Sequence, residues 1–184
     1  MQRIFLSDLH LDDPLDRVFS GFAACLETES TQVDEIYILG DLVEMWIGDD
    51  DNSPIALALT ELLTTTSKRC PVFLMHGNRD FLFASEFTNR TGVTLISDPS
   101  TLDGSLVLSH GDALCTDDIA YQQIRKVLRG DAWQTEILSK SLEERQVFGK
   151  GLRAQSIANN ANKSSAIMDV NAAAVTDLIE ANVT

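Results

Sequence analysis

An α/β fold, with helices packed on β-sheets, is what this sequence predicts. Short apolar runs of strand length alternate with longer segments whose apolar residues recur at helical spacing, and this alternation is typical of layered α/β proteins. The 184 residues suffice for one domain with a sizeable core, so we expect a single domain over 1–184. Hydrophobic residues make up 44% and charged residues 23%, ordinary proportions for a globular protein.

Four strands are predicted, each from a short apolar run. The first two cover 3–7 (RIFLS) and 35–39 (EIYIL), and the next two cover 71–76 (PVFLMH) and 105–109 (SLVLS). We expect all four to bring their carboxyl ends to one edge, where layered α/β folds gather their ligands.

Helices are predicted between the strands and over much of the later chain. Residues 15–30 place their apolar side chains on one helical face, and 55–63 begin after a favourable Ser-Pro start. Apolar residues at helical spacing then predict two or three further helices, with an interruption at Gly149 and Gly151. A last helix is predicted from Ala166 onwards.

Composition excludes several classes of protein. The formal net charge of −14 opposes general binding to a nucleic-acid backbone. No apolar run approaches the roughly 18 residues of a membrane span, and the first residues lack a signal-peptide pattern. Cys25, Cys70 and Cys115 are widely spaced without a CxxC pair, which indicates reduced thiols in the cytoplasm. The acidic first third could hold cations, whereas the locally basic segment 121–163 could meet an anion or simply form a solvated helix surface.

Side chains suited to metal binding follow each predicted strand. Asp8 and His10 follow the first strand, spaced so that both can point to one side of an extended backbone. Asp41 follows the second strand, Asn78 the third and His110 the fourth. Each motif by itself has a plainer explanation as a turn, a cap or a buried histidine. Their combination in this order instead indicates a metal site.

The donor types suggest which metals and which chemistry. Carboxylates and imidazoles suit Mn, Fe or Zn, and the two oxygens of one aspartate can bridge two metals. Two metals about 3.5–4 Å apart form a clamp for in-line attack on phosphorus. In HGNRD, Gly77 would allow a tight turn, Asn78 would bind metal, and Arg79 could hold a phosphate oxygen. Asp80 would fix the loop or orient a neighbour.

The motifs DLH, GD, GNRD and HGD resemble those of the calcineurin-like metallophosphoesterase superfamily. The longer stretches YILGDLVEMWIGDDD, HGDALCTDD and NKSSAIMDVN are similar to the UDP-2,3-diacylglucosamine pyrophosphohydrolase family of lipid A biosynthesis. The resemblance runs from Met1 to about Val175. It includes loops as well as the metal motifs.

This resemblance implies a sandwich of two β-sheets flanked by helices, with a helical lid at about 119–163. The implied reaction cleaves the pyrophosphate of UDP-2,3-diacylglucosamine at the α-phosphorus, giving UMP and 2,3-diacylglucosamine 1-phosphate (lipid X). Two Mn²⁺ per chain are implied, with Mg²⁺, Fe²⁺ or Zn²⁺ as second choices. The implied location is peripheral, on the cytoplasmic face of the inner membrane, where the basic lid would face the anionic surface. Neither a nucleic-acid nor a protein partner is expected.

The resemblance also implies a role for each site residue. Asp8 and His10 would bind one metal, Asp41 would bridge, and Asn78 and His110 would bind the other. The catalytic residues would be Asp41, Asn78 and Arg79. Substrate contacts would come from Asn78, Arg79, Asp118, Ser156, Asn160 and Lys163.

The sequence departs from the family pattern at one motif. A Gly-His-Thr-His motif follows the IMDVN helix in the family, but the three histidines here are His10, His76 and His110. We therefore expect the family fold without its C-terminal strands, with more weakly held metals. Two alternatives remain open: another dinuclear metallophosphoesterase, acting on nucleotides or phosphoproteins, or an impaired fragment that only binds metal or lipid. The NKSSAIMDVN segment argues against the first.

Overall fold

The computed structural model describes residues 1–160 and 163–183, apart from the side chains at 160, 165 and 166. The chain forms two compact units, Met1–Asp98 and Pro99–Thr184, and each is described by itself. A single domain over 1–184 stays a prediction.

The first unit is built on a four-stranded parallel sheet. Its strands lie in the order β1-β2-β3-β4, with Phe5 of β1 beside Tyr37 of β2, which lies beside Phe73 of β3. Because all four strands are parallel, their carboxyl ends meet at one edge. The strands are β1 (Arg3–Leu6), β2 (Glu35–Leu39), β3 (Val72–Met75) and β4 (Thr94–Ile96).

Three helices accompany this sheet: α1 (Arg17–Glu29), α2 (Pro54–Ser67) and α3 (Ser85–Thr91). The Ser53 hydroxyl caps α2 by accepting from Ala56 N at 3.3 Å, as the Ser-Pro start predicts. The core consists of apolar side chains from the sheet and these helices, among them Ile36, Ile38, Leu59, Leu63, Leu74 and Phe87. Such a core holds the strand ends in fixed positions.

The second unit begins with a two-stranded antiparallel sheet, β5 (Ser100–Leu102) and β6 (Leu106–Leu108). The expectation that the fourth predicted strand joins the first three is therefore wrong, since β6 pairs with β5 and the fourth parallel strand is β4. A short 3-10 helix (Asp112–Leu114) follows. Within the described residues of this unit, five helices come next, namely α4 (Ile119–Leu128), α5 (Asp131–Leu138), α6 (Leu142–Asn160), α7 (Ser165–Met168) and α8 (Ala172–Asn182).

Two helix predictions need correction. Helix α6 runs unbroken through Gly149 and Gly151, because a glycine costs a helix only about 1 kcal/mol and a long helix tolerates that. The helix predicted from Ala166 is instead divided into α7 and α8. Asn171 starts the second by accepting from Ala173 N at 2.9 Å, so a side-chain cap sets the boundary.

Two of the motifs that carry the family resemblance contact each other within this unit. The Asn171 N–H donates to the Leu114 carbonyl at 2.8 Å, and the Asn171 amide donates to Asp117 at 3.1 Å. The Cys115 thiol lies 3.3 Å from the Met168 carbonyl. The end of the segment NKSSAIMDVN, residues 168–171, is thus docked on the loop HGDALCTDD.

The α/β class is confirmed. A four-stranded parallel sheet with helices and a separate two-stranded sheet are present, whereas their packing as one sandwich stays a prediction. Among the helices that the structure describes, none is both long and apolar enough to cross a membrane.

Candidate metal centre

The loops after β1 and β2 run side by side, and this places three predicted ligands together. The Asp8 N–H donates to the Gly40 carbonyl at 3.1 Å, and the His10 N–H donates to the Asp41 carbonyl at 3.0 Å. An isolated parallel bridge between Leu11 and Val43 continues the ladder. The pairing of two neighbouring strands is thereby extended past their ends, into the site.

All three predicted ligands adopt a left-handed backbone conformation. Their φ angles are 54° at Asp8, 49° at His10 and 52° at Asp41. Residues other than glycine adopt this region at a cost of order 1–3 kcal/mol, and such strain gathers at functional sites. The expectation of an extended Asp8-to-His10 segment is therefore wrong, although the two side chains do reach one site.

The side chains of Asp8, His10 and Asp41 form a cluster with metal-ligand chemistry. Their candidate ligand atoms all lie within 4.8 Å of one another. His10 Nε2 is 3.8 Å from Asp41 Oδ2, a separation that one metal spans with bonds of about 2.0–2.2 Å to each. Asp41 is buried, at 2% exposure, so its carboxylate is a fixed donor. Two carboxylates and an imidazole at this spacing fit a divalent metal.

The loop after β3 closes on Asp41 from the other side. A β-carbon at Gly77 would overlap the backbone nitrogen and Oδ1 of Asp41, so only glycine allows this approach. Its φ is not left-handed, so the close approach to Asp41, and not a left-handed backbone, is what requires glycine here. The Arg79 N–H donates to Asp41 Oδ1 at 2.9 Å. The half-buried Asn78 lies between these two residues, and its role as a ligand stays a prediction.

Asp80 ties two of the site's loops together. Its fully buried carboxylate accepts from Gly77 N and from Leu42 N, each at 2.7 Å. Burial, together with the nearby Asp41 charge, raises the pKa of Asp80 to about 6, although the hydrogen bonds from Gly77 N and Leu42 N act to lower it. The expectation that Asp80 fixes the loop is confirmed.

The Arg79 side chain points back over the same site. Its Nη1 donates to Glu44 Oε1 at 3.2 Å, and its Nε lies 4.0 Å from Asp41 Oδ2. Glu44 also lies 3.3 Å from His10 Nδ1 through its other oxygen. Sequence reasoning missed Glu44, although one signal was available: it is the single acidic residue in the otherwise apolar run LVEMWI.

The remaining histidine of the first unit is used structurally. His76 Nε2 lies 2.8 Å from the Phe83 carbonyl, on the loop that follows β3. This contact ties the end of β3 to the start of the segment that leads into α3. His76 therefore supports the loop carrying Asn78 and Arg79.

The other predicted site residues lie in the second unit. His110 follows β6, and its part in the metal site stays a prediction. Asp118 and Lys163 come together, with Nζ 2.5 Å from Asp118 Oδ2. Ser156 lies half-buried on α6, and the side chain of Asn160 is outside the described part of the chain. Substrate contacts by these four residues remain predictions.

A buried ionic network in the second unit was also missed from the sequence. Asp112 Oδ2 accepts from Tyr121 Oη at 2.7 Å and from Arg125 Nε at 2.8 Å, and Arg129 Nη2 lies 3.7 Å away. Burial alone would raise the pKa of Asp112, but the hydrogen bonds and charges of these partners lower it overall. The network anchors α4 to the loop that follows His110.

Comparison with known proteins gives close relatives along the whole chain. No protein-family model matches. A UDP-2,3-diacylglucosamine hydrolase of Aromatoleum aromaticum is 40% identical over 97% of this chain and 75% of its own length. A protein of the same name from Chromobacterium violaceum is 41% identical over 97% of this chain and 77% of its own.

The chain belongs to the UDP-2,3-diacylglucosamine hydrolase family. The resemblance noted in the sequence is thereby confirmed, and so is its classification as a hydrolase. A further family member, from Marinobacter nauticus, is 39% identical over 99% of this chain and 76% of its own length. Among solved structures, the Pseudomonas putida nuclease MPE covers 54% of this chain at 20% identity with a TM-score of 0.41, a likeness too slight to inform the site.

Proposed function

We propose that this protein is a metal-dependent hydrolase that cleaves UDP-2,3-diacylglucosamine at the α-phosphorus, releasing UMP and 2,3-diacylglucosamine 1-phosphate. The observation that carries the proposal is the Asp8–His10–Asp41 cluster, found in a chain about 40% identical to hydrolases of that name. Lipid A biosynthesis is the corresponding biological setting.

The metal site that we propose holds two Mn²⁺. Asp8 and His10 would bind one ion, Asn78 and His110 the other, and Asp41 would lie between them. Bound divalent metals activate water near neutral pH and stabilise charge on a phosphoryl group. The position of Asp41 supports a bridging role, because Oδ2 lies 3.8 Å from His10 Nε2 while Oδ1 accepts from the N–H of Arg79, the residue next to Asn78.

Arg79 is the residue that we assign to the phosphate. Its guanidinium lies beside both Asp41 and Glu44, so it is half-buried and already oriented at the site. A planar guanidinium can hold two oxygens of a phosphate, and it stabilises negative charge that develops during attack on phosphorus. The neighbouring carboxylates keep this cation in place before substrate binds.

The helices of residues 119–163 are the proposed lid over the acyl chains. Several of their large apolar side chains are exposed, including Val147 at 73% and Ile119 at 62%. Leu138 and Phe148 are partly exposed, and Phe148 also packs on Trp133 with ring centroids 5.9 Å apart. Exposed apolar helix faces favour contact with lipid. Ile137 is instead buried, so it belongs to the packing of α5 and not to the lid surface.

The experiment measures UMP release from UDP-2,3-diacylglucosamine with added Mn²⁺. We expect the parent chain to release UMP and Asp41→Ala to abolish both release and Mn²⁺ binding. The matched control is Asp12→Ala, which removes an exposed carboxylate from the neighbouring loop and should change neither. Normal turnover by Asp41→Ala would refute the site.

A second comparison tests the lid. Leu138→Ser combined with Phe148→Ser should slow hydrolysis of the diacylated substrate more than hydrolysis of a water-soluble phosphodiester. Leu57→Ser, which changes an apolar residue of α2 that is 56% exposed, is the control. Equal losses on both substrates would assign these side chains to packing.

A further inference from the structure

We propose that Glu44 is a positioning residue that orients His10 and Arg79 together. One carboxylate oxygen would set the His10 tautomer that presents Nε2 to a metal, and the other would hold the Arg79 guanidinium. The inference deepens the proposed function, since it concerns the same site. It rests on contacts between side chains and needs no bound metal to be tested.

The geometry places the His10 ring between two carboxylates. Nδ1 lies 3.3 Å from Glu44 Oε2, and Nε2 lies 3.8 Å from Asp41 Oδ2. The other oxygen of Glu44 accepts from Arg79 Nη1 at 3.2 Å. Each oxygen of Glu44 therefore faces a different donor, and both donors belong to residues of the proposed metal and phosphate site.

The state of His10 Nδ1 is what points to Glu44. This nitrogen is buried and has no hydrogen bond of standard geometry, although Glu44 Oε2 is close by. A buried polar atom costs free energy unless it has a partner, and Glu44 Oε2 at 3.3 Å is the acceptor within reach of this one. An ionised carboxylate can only accept, so the proton of the neutral ring would lie on Nδ1. Nε2 would then keep its lone pair on the Asp41 side, as a metal ligand requires.

The backbone also fixes Glu44 relative to His10. The Glu44 N–H donates to the Leu11 carbonyl at 3.0 Å, and the Leu11 N–H donates to the Leu42 carbonyl at 3.0 Å. Glu44 is thus attached to the residue that directly follows His10. Backbone hydrogen bonds therefore hold the Glu44 main chain beside His10, and the side chain has only a short distance to span.

Arg79 Nη1 and His10 Nδ1 are two donors that need two acceptor oxygens. A glutamate supplies both oxygens, whereas a glutamine of the same shape supplies only one. Glu44→Gln keeps the shape but leaves one acceptor oxygen. The charged guanidinium makes the stronger hydrogen bond, so Arg79 should take that oxygen. The amide NH₂ would then face Nδ1 and favour the opposite tautomer of His10. Glu44→Ala removes both acceptors.

The first measurement is the His10 tautomer in the metal-free chain, from ¹⁵N chemical shifts of the ring at about pH 8, where a free imidazole is neutral. We expect Nδ1–H in the parent and a shift toward Nε2–H in Glu44→Ala and Glu44→Gln. The control is Glu35→Gln, which removes a closer ion pair with Arg3 (2.6 Å) at the opposite end of β2 and should leave His10 unchanged.

The second measurement is Mn²⁺ affinity by calorimetry, which should fall about 10–100-fold in both Glu44 variants. An unchanged His10 tautomer in both variants would overturn the inference whatever the affinity. If Glu44→Ala does not fold, Glu44→Gln decides alone. A parent chain that shows the expected tautomer but hydrolyses no UDP-2,3-diacylglucosamine would refute the proposed function and leave the role of Glu44 standing.

Discussion

Replacing Gly77 with alanine should disrupt the site through a single methyl group. The added β-carbon would overlap both the backbone nitrogen and Oδ1 of Asp41. Hydrogen bonds hold both Asp41 and Gly77 in place, so neither can easily move to relieve the overlap. The Asp41 carbonyl accepts from His10 N at 3.0 Å, and Gly77 N donates to the buried Asp80 carboxylate at 2.7 Å. The methyl group must therefore displace one of the loops.

The loss of stability expected for Gly77→Ala follows from the cost of overpacking a protein interior. Inserting a methyl group into a well-packed interior costs about 1–3 kcal/mol. Because the overlap here includes backbone, we expect the upper end, about 3 kcal/mol. For a chain of this size, each kcal/mol lowers Tm by roughly 2–4 °C, so Gly77→Ala should melt about 6–12 °C lower.

The assay combines thermal unfolding with a Mn²⁺ titration, since a displaced Asp41 should also weaken metal binding. Gly21→Ala is the matched control, because a β-carbon there meets nothing within 4 Å and the position lies inside α1. It should raise stability by about 0.5–1 kcal/mol. A Tm for Gly77→Ala within about 2 °C of the parent, with unchanged Mn²⁺ affinity, would show that the loops yield freely and would refute this reasoning.

Three other substitutions test separate contacts. Asp80→Asn leaves one acceptor for two backbone donors, so urea denaturation should show a loss of about 1–3 kcal/mol; a gain in stability would mean that relief of the buried charge dominates. Lys163→Met should lower stability by roughly 1 kcal/mol at pH 7 and by less at strongly acidic pH. Burial alone would raise the pKa of Asp118, but Lys163 lowers it overall, so the benefit is lost as the pH falls through that lowered pKa; an equal loss at both pH values would exclude the ion pair as its cause. Arg79→Ala should keep Mn²⁺ binding and slow turnover about 10–150-fold, the equivalent of 1.5–3 kcal/mol; lost metal with normal lipid binding would make Arg79 structural.

Local patterns in the sequence predict most of the first unit correctly. Strands β1, β2 and β3 lie within about a residue of their expected ranges, because each is an apolar run long enough to recognise. Helix α3 escaped prediction, since its sequence SEFTNRT is short and polar. Its start is capped from a distance, as the Asp49 carboxylate accepts from Ala84 N and Phe87 N. No pattern within α3 could reveal a cap from residue 49.

Inside the metal centre too, the sequence shows local chemistry but not contacts between distant residues. The sequence offered the donors Asp8, His10 and Asp41, because their chemistry is visible in the residue types. It did not reveal their left-handed backbone, which comes from the ladder that joins two loops. Nor did it reveal the role of Glu44. Its two partners, His10 and Arg79, each lie more than 30 residues away along the chain, one before it and one after it.

By itself, the sequence determined the α/β class, the identity of the candidate metal ligands and the family, because periodicity, residue chemistry and motif order are properties of the linear chain. The tertiary structure alone decided which strands share a sheet, why position 77 must be glycine and which residues surround His10. Those features depend on contacts between segments far apart in sequence, and such contacts exist only once the chain has folded around a common core. The parallel sheet shows the difference well: the apolar runs of β1, β2 and β3 are plain from the sequence, but their pairing joins residues more than 30 positions apart, such as Ile4 with Ile36 and Ile38 with Leu74.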